Sequence, residues 1–333
     1  MLQKSSDKPR RASKTKTRVR VVESGKMRVR PDTLATEEPM EIRLLSGESR
    51  QTVAVTMRTP GADFELAAGF LYGEGIAKST DDIAKISYCV DSDLDAAQQY
   101  NIVNVELRGG REYDLRPLER HFYTTSACGV CGKASLEQLE LRGCPVVGPG
   151  PEVSAETLYS LPEKLREAQG LFDATGGLHA AALFDAEGNL LALREDVGRH
   201  NATDKLVGWA LLEGRLPLSG HVVMVSGRSS FEILQKCLTA GVPFVCAISA
   251  PSSLAVDVAR EFGMTLVGFL RERRFNVYAG QERVAVSFWL LVDLREQSDD
   301  AEERLVDAPQ ERYQDQGPQH DDQDRAKPAS ASP

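Results

Sequence analysis

Apolar positions change their spacing along this chain, and each change predicts an element. "EIRLLSGESRQTVAVTMRTP" holds two strand-like runs around Ser46-Gly47-Glu48, which predicts a β-hairpin. In "DFELAAGFLYGEGI", Phe64, Leu66, Ala67, Phe70 and Leu71 recur at helical spacing behind Asp63, the expected N-cap. "IAKISYCV" and "YNIVNVELRG" predict two more strands, "RPLERHFY" a short helix or turn, and "KASLEQLELR" (133–142) a short helix.

Pro, Gly and Val dominate "GCPVVGPGPEV", read as a linker. "SAETLYSLPEKLREAQGLF" then predicts one or two helices with Ser154 as N-cap. "HAAALFDAEGNLLALRED" predicts a hairpin turning at Glu187-Gly188-Asn189, and "RHNATDKLVGWALLEG" an amphipathic helix capped by Asn201 or Thr203. Continuous apolar strands ("HVVMVSG", "PFVCAIS", "TLVGFLRE") alternate with helices ("SSFEILQKCLTAG", "SSLAVDVAREFG"), and "RFNVYAG" is a last strand. The expected class is α/β (α+β), a helix-covered mixed sheet with a smaller β-rich subdomain before it. The element order resembles the cytidine-deaminase-like fold. Zinc deaminases carry their metal ligands where this chain reads "VGRHNA" and "SGRSSFE", which supply none, so deaminase chemistry is not expected.

Composition adds the ends. Residues 1–35 are basic and residues 295–333 acidic and polar; both are poor in large apolar groups, so both are expected to be disordered tails. The expected organisation between them is a subdomain over 36–143, a linker over 144–152 and a second subdomain over 153–294. A net charge of -9 speaks against nucleic acid as a partner. No apolar stretch approaches the ~18 residues of a membrane span. Six cysteines with only one close pair do not make a secreted disulfide scaffold, so a reducing, cytoplasmic setting is expected.

That close pair is Cys128 and Cys131, in "TTSACGVCGKASLEQ". The spacing suits half a zinc site, a redox dithiol or a sulfur carrier. Zinc lacks a second ligand pair, with only Cys144 and His121 nearby. A thioredoxin-like role lacks the surrounding strand order. Sulfur transfer fits better. Flanking glycines leave the thiols open, while Lys133 and the start of the following helix favour thiolate. No metal ligand set is assigned.

Two loops look built for anions. "SGRSSFE" offers Ser226, Gly227, Arg228 and Ser229 between a buried strand and a helix start, and "SAPSSLA" repeats the layout. Arg194, Arg199, Arg271, Arg273 and Arg274 are expected at loops or strand ends beside them, which favours a phosphorylated ligand. Glu195, Asp196, Arg199, His200 and Asp204 form a dense polar cluster, read as structural or ligand-positioning. His179 and His200, each taken alone, are expected to be satisfied polar groups.

Together "SACGVCG", "TGGLHAAALFDAEGNLLALREDVGRHNATDK", "SGRSSFEILQK" and "AISAPSSLAVDVAREFGMTLVGFLRERRFNVYAG" resemble the FdhD family of formate dehydrogenase accessory sulfurtransferases, from about Glu38 to Val292. The resemblance implies transfer of sulfane sulfur from a cysteine desulfurase to a molybdenum (or tungsten) bis-pyranopterin guanine dinucleotide, the cofactor of the formate dehydrogenase catalytic subunit. It implies a persulfide on Cys128 with Cys131 assisting. The cofactor would be held by "FLRERR" (Phe269, Leu270, Arg271, Glu272, Arg273, Arg274), with Ser226 to Ser229, Arg199 and His200. It also implies a homodimer.

Overall fold

The computed structural model describes residues 12–46, 49–89, 100–108, 139, 144 and 146–286. Two strands open it, β1 (Lys14–Glu23) and β2 (Lys26–Ala35), paired antiparallel over their whole length. This corrects the expected disorder of residues 14–35. Apolar content is low there, but Thr and Val alternate with cations at period two, a strand pattern. Ser24 and Gly25, both with positive φ, close the hairpin as a two-residue turn.

Strands β3 (Glu38–Ser46) and β4 (Ser49–Arg58) form the expected hairpin, followed by α1 (Asp63–Gly73), β5 (Ile83–Tyr88) and β6 (Ile102–Leu107). Their sheet runs β4-β3-β6-β5. Its inner face buries Met40, Ile42, Val53, Val103 and Val105 against Phe64, Leu66 and Leu71 of α1. Asp63 is not the N-cap; Ala62 holds that position with left-handed φ. Asp63 instead takes a two-point bond from buried Arg58 (3.1 and 3.0 Å). The predicted segments "RPLERHFY" and 133–142 lie outside the described residues, apart from Leu139, helical and buried.

The linker is pinned to the body: Gly148 and Pro149 accept hydrogen bonds from Arg283. Then come β7 (Val153–Ser154), α2 (Ala155–Ala168), α3 (Gly170–Thr175), β8 (His179–Phe184), β9 (Leu190–Asp196), α4 (Arg199–Leu212), β10 (Val222–Val225) and α5 (Phe231–Thr239). The series closes with β11 (Phe244–Ala247), α6 (Ser253–Glu261), β12 (Thr265–Arg271), β13 (Arg274–Ala279) and β14 (Val284–Ala285). Ser154 caps α2 as expected, accepting from the Thr157 N–H at 3.0 Å.

Six strands form a mixed sheet in the order β13-β12-β11-β10-β8-β9. Alternate residues face two cores. Ala181, Leu183, Val223, Val225, Val245 and Ala247 meet α4, α5 and α6. Ala180, Ala182, Phe184, Val222, Met224, Phe244 and Cys246 meet α2. The expected helix-covered mixed sheet is what forms.

Helix α4 departs from its expected amphipathic pattern, because α1 covers the side the sheet leaves open. Ten of its residues are buried, among them Asn201, Thr203, Asp204 and Lys205. Asn201 and Thr203 therefore cap nothing; Gly198 is the N-cap. At the α1–α4 crossing the backbones touch. A Cβ on Gly208 would lie 1.8 Å from the Glu65 carbonyl oxygen, and one on Gly69 would lie 1.9 Å from that of Asp204. Gly208→Ala should therefore cost about 3 kcal/mol, the upper end of core overpacking. Gly220→Ala, with open space at its Cβ, should leave stability unchanged; urea denaturation of both variants checks the difference.

Candidate functional site

The mixed sheet brings the carboxyl ends of β9, β10, β11 and β12 to one edge, together with the amino end of antiparallel β8. Open sheets bind ligands at such an edge. Three loops are stitched together there through the main chain. Ser249 N–H donates to the Gly227 carbonyl (3.4 Å), Phe269 N–H to Ser249 (3.2 Å), and Ser252 N–H to Ser229 (2.9 Å).

Ser226 is spent on structure: its hydroxyl accepts from the Ala180 N–H at 2.8 Å while its own N–H donates to the Ala180 carbonyl at 2.9 Å. Gly227 leaves room for the His179 ring, since a Cβ would lie 3.3 Å from Nδ1. Arg199 Cδ is 4.0 Å from the same point. Arg228 is exposed. Ser229 is fully buried and its hydroxyl has no partner, nor has the buried Nε of Arg199. Ser229 lies on the β10–α5 loop and Arg199 in the first turn of α4; unsatisfied buried polar groups are costly in a folded protein unless something else bonds them. An anion would satisfy both as donors.

His200 Nε2 lies 2.8 Å from Glu232 Oε2 and 3.3 Å from Ser230 Oγ. That hydrogen bond holds the Glu232 carboxyl below its ordinary range. Burial first, then the positive field of Arg199 and His200, push the His179 imidazole below 6.5; Asp196 opposes them. His179 was expected to be only a satisfied polar group. Its hairpin was readable from sequence, but its place depends on β8 lying beside β10, which local patterns do not state.

The "FLRERR" segment divides by position. Leu270 is buried in the α2-side core and offers a ligand no surface. Phe269 and Glu272 both have left-handed φ, 52 and 53°, beside a break in the β12–β13 register. For a bulky residue such as Phe269 this is strained, and such strain clusters at functional sites. Arg273 is tied to Glu156 (2.6 and 3.2 Å) and stacks over Tyr159. Arg271 and Arg274 lie directly opposite each other, exposed. Facing like charges are unfavourable and become favourable beside an anion.

The polar cluster at the β9–α4 junction is structural. Buried Asp196 accepts from the N–H groups of Thr59 (3.1 Å) and Gly198 (2.8 Å), from Asn201 (3.0 Å) and from Lys205 (2.6 Å). Glu195 accepts from the Leu171 and Phe172 N–H groups. Asp204 pairs with Lys236 at 2.6 Å, and Arg194 with Glu65.

Cys128 and Cys131 lie outside the described residues. Among the described cysteines, Cys89, Cys237 and Cys246 are buried. Burial pushes the Cys237 thiol up to about 12 and the Cys246 thiol higher still. Such thiols stay protonated at neutral pH and are poor nucleophiles.

A model of the FdhD/NarQ family matches residues 35–285. The "Sulfur carrier protein FdhD" of Streptomyces avermitilis is 53% identical over 267 residues, covering 80% of this chain and 93% of that one. Its counterpart in Mycolicibacterium paratuberculosis is 52% identical over 272 residues, 81% and 98% of the two chains. A crystal structure assigned to a formate dehydrogenase accessory protein from Desulfotalea psychrophila superposes with a TM-score of 0.62 at 25% identity, covering 82% of this chain and all of that one.

An anion at the edge would favour the protonated form of His179, which burial and the charges of Arg199 and His200 disfavour. Thermal stabilisation by sulfate should therefore grow as pH falls from about 7 toward about 5, below the ordinary imidazole value, with affinity rising up to about tenfold per unit once the imidazole titrates. His179→Asn should flatten the rise, and His200→Asn, run alongside, separates the second imidazole. Sulfate stabilisation that is the same across this range would contradict the assignment.

Proposed function

The chain belongs to the FdhD/NarQ family, and from that premise we propose that it carries sulfur from a cysteine desulfurase to a molybdenum bis-pyranopterin guanine dinucleotide required by formate dehydrogenase. The Cys128 thiolate attacks the outer sulfur of the desulfurase persulfide. The S–S bond breaks, the desulfurase thiolate leaves, and Cys128 retains the sulfane sulfur, with Cys131 assisting. The sulfur then passes to the cofactor, whose binding site is the carboxyl edge of the central sheet. This takes place in the cytoplasm, in a homodimer.

The observation that carries the proposal is the pair of unsatisfied buried donors, Ser229 Oγ and Arg199 Nε, at a loop edge that also holds His179, His200, Arg228, Arg271 and Arg274. These residues fit the pyrophosphate groups of a dinucleotide. Phe269, in its strained conformation one hydrogen bond from Ser249, lines the same edge. Arg273 and Leu270 support the segment through Glu156 and the core.

Incubation with a cysteine desulfurase and cysteine should add the mass of one sulfur to the chain. The addition should be absent in Cys128→Ala. The same variant should fold normally yet fail to activate formate dehydrogenase in cells lacking the native protein. Full activation by Cys128→Ala would refute the carrier role. Arg199→Ala should keep the persulfide and weaken binding of guanosine diphosphate by about 10- to 100-fold, as loss of a charged hydrogen bond implies.

A further inference from the structure

The β1–β2 hairpin precedes the family match, which begins at residue 35. It is anchored at its base, where the Thr36 N–H donates to the Ser13 carbonyl at 2.9 Å, and β2 packs against α3. Strand β1 pairs with β2 alone, so its other edge is open among the described residues.

Cross-strand partners share a face, so the register assigns every side chain. One face carries Lys14, Lys16, Arg18 and Arg20 in a row along β1. At the tip of that face are Val22, Met27 and Val29, which are 64, 65 and 63% exposed. The other face mixes Lys26, Arg28 and Arg30 with Glu23 and Asp32, and its Val19 and Val21 are half-buried. None of these cations has an ion-pair partner among the described residues. Lysines on an edge strand also serve to block unwanted pairing. That role does not account for three large apolar groups left in water beside them. The whole chain carries -9, so attraction for an acidic partner is concentrated on the hairpin.

We propose that the open edge of β1 is a docking strip for an extended acidic segment of a partner protein, added as a third strand. Successive cations stand about 7 Å apart. A strand laid against β1 presents every second side chain to that row, so carboxylates at alternate positions match it. The intervening side chains fall beside Thr15, Thr17, Val19 and Val21, which suit β-branched apolar residues. A nucleic acid or an anionic lipid surface would respond to the charge of the cations without this alternation.

The test uses the full chain and a fluorescent peptide of alternating Glu and Val, with binding followed by anisotropy. A block isomer of the same composition, a short DNA duplex and phosphatidylserine vesicles are run in parallel. The alternating peptide should bind about tenfold tighter than the block isomer. Arg18→Glu with Arg20→Glu should remove about tenfold of that affinity, and Arg28→Glu with Arg30→Glu, the same charge change on the other face, should remove little. Equal binding of the two peptides, equal losses in the two variants, or tighter binding of the duplex or vesicles would each overturn the proposal. The peptide comparison on the unaltered chain decides the matter even if a variant disturbs the hairpin.

Discussion

The crossing of α1 and α4 is the contact on which the remaining geometry depends. Two glycines, Gly69 and Gly208, let the helices meet backbone to backbone. That approach buries the polar first turns of α4 beneath α1 and the end of β4. Burial would be prohibitive for Asp196, Asn201 and Lys205 without partners. The end of β4 and the loop after it supply them: the Met57 carbonyl accepts from Asn201, the Thr59 N–H donates to Asp196, and the Thr59 carbonyl accepts from Lys205, which also pairs with Asp196. The N-terminus of α4 is thereby fixed at the sheet edge, and with it Arg199 and His200.

The edge itself combines groups that are saturated with groups that are not. Ser226, Glu195 and Asp196 have spent their hydrogen-bonding capacity on holding loops in register. Ser229 and Arg199, a few residues away, keep unsatisfied polar atoms in buried positions. Left-handed backbone at Phe269 and Glu272 lies on the same side of the sheet. Both of these atoms are donors, and the cations around them, Arg228, Arg271 and Arg274, are exposed at the same edge.

Much of this was legible before any coordinates. Period-two and helical spacings located the strands of both sheets, and the two Ser-rich loops were readable as strand-to-helix junctions, which is where both lie. The FdhD resemblance pointed to the same blocks. What failed, failed for identifiable reasons. The low apolar content of residues 14–35 predicts disorder, although their alternation is the stronger signal. Helix α4 read as amphipathic because charge in a sequence implies water, while here Lys205, Asp196, Lys236 and Asp204 neutralise one another in the interior. The place of His179 beside Gly227 has no local signature.

The sequence by itself determined most of the elements from residue 38 onward, the family and the residue types of the chemistry, since these rest on spacing and on side-chain identity within a few residues. Only the tertiary structure decided which of those residues act together. Placing β8 antiparallel beside β10 carries His179 to Gly227. The bulge in β12 turns Leu270 inward and leaves Arg271 and Arg274 outside. Such pairings join residues far apart in the chain, and they are selected by the burial of two cores and a buried ion network, not by any local preference.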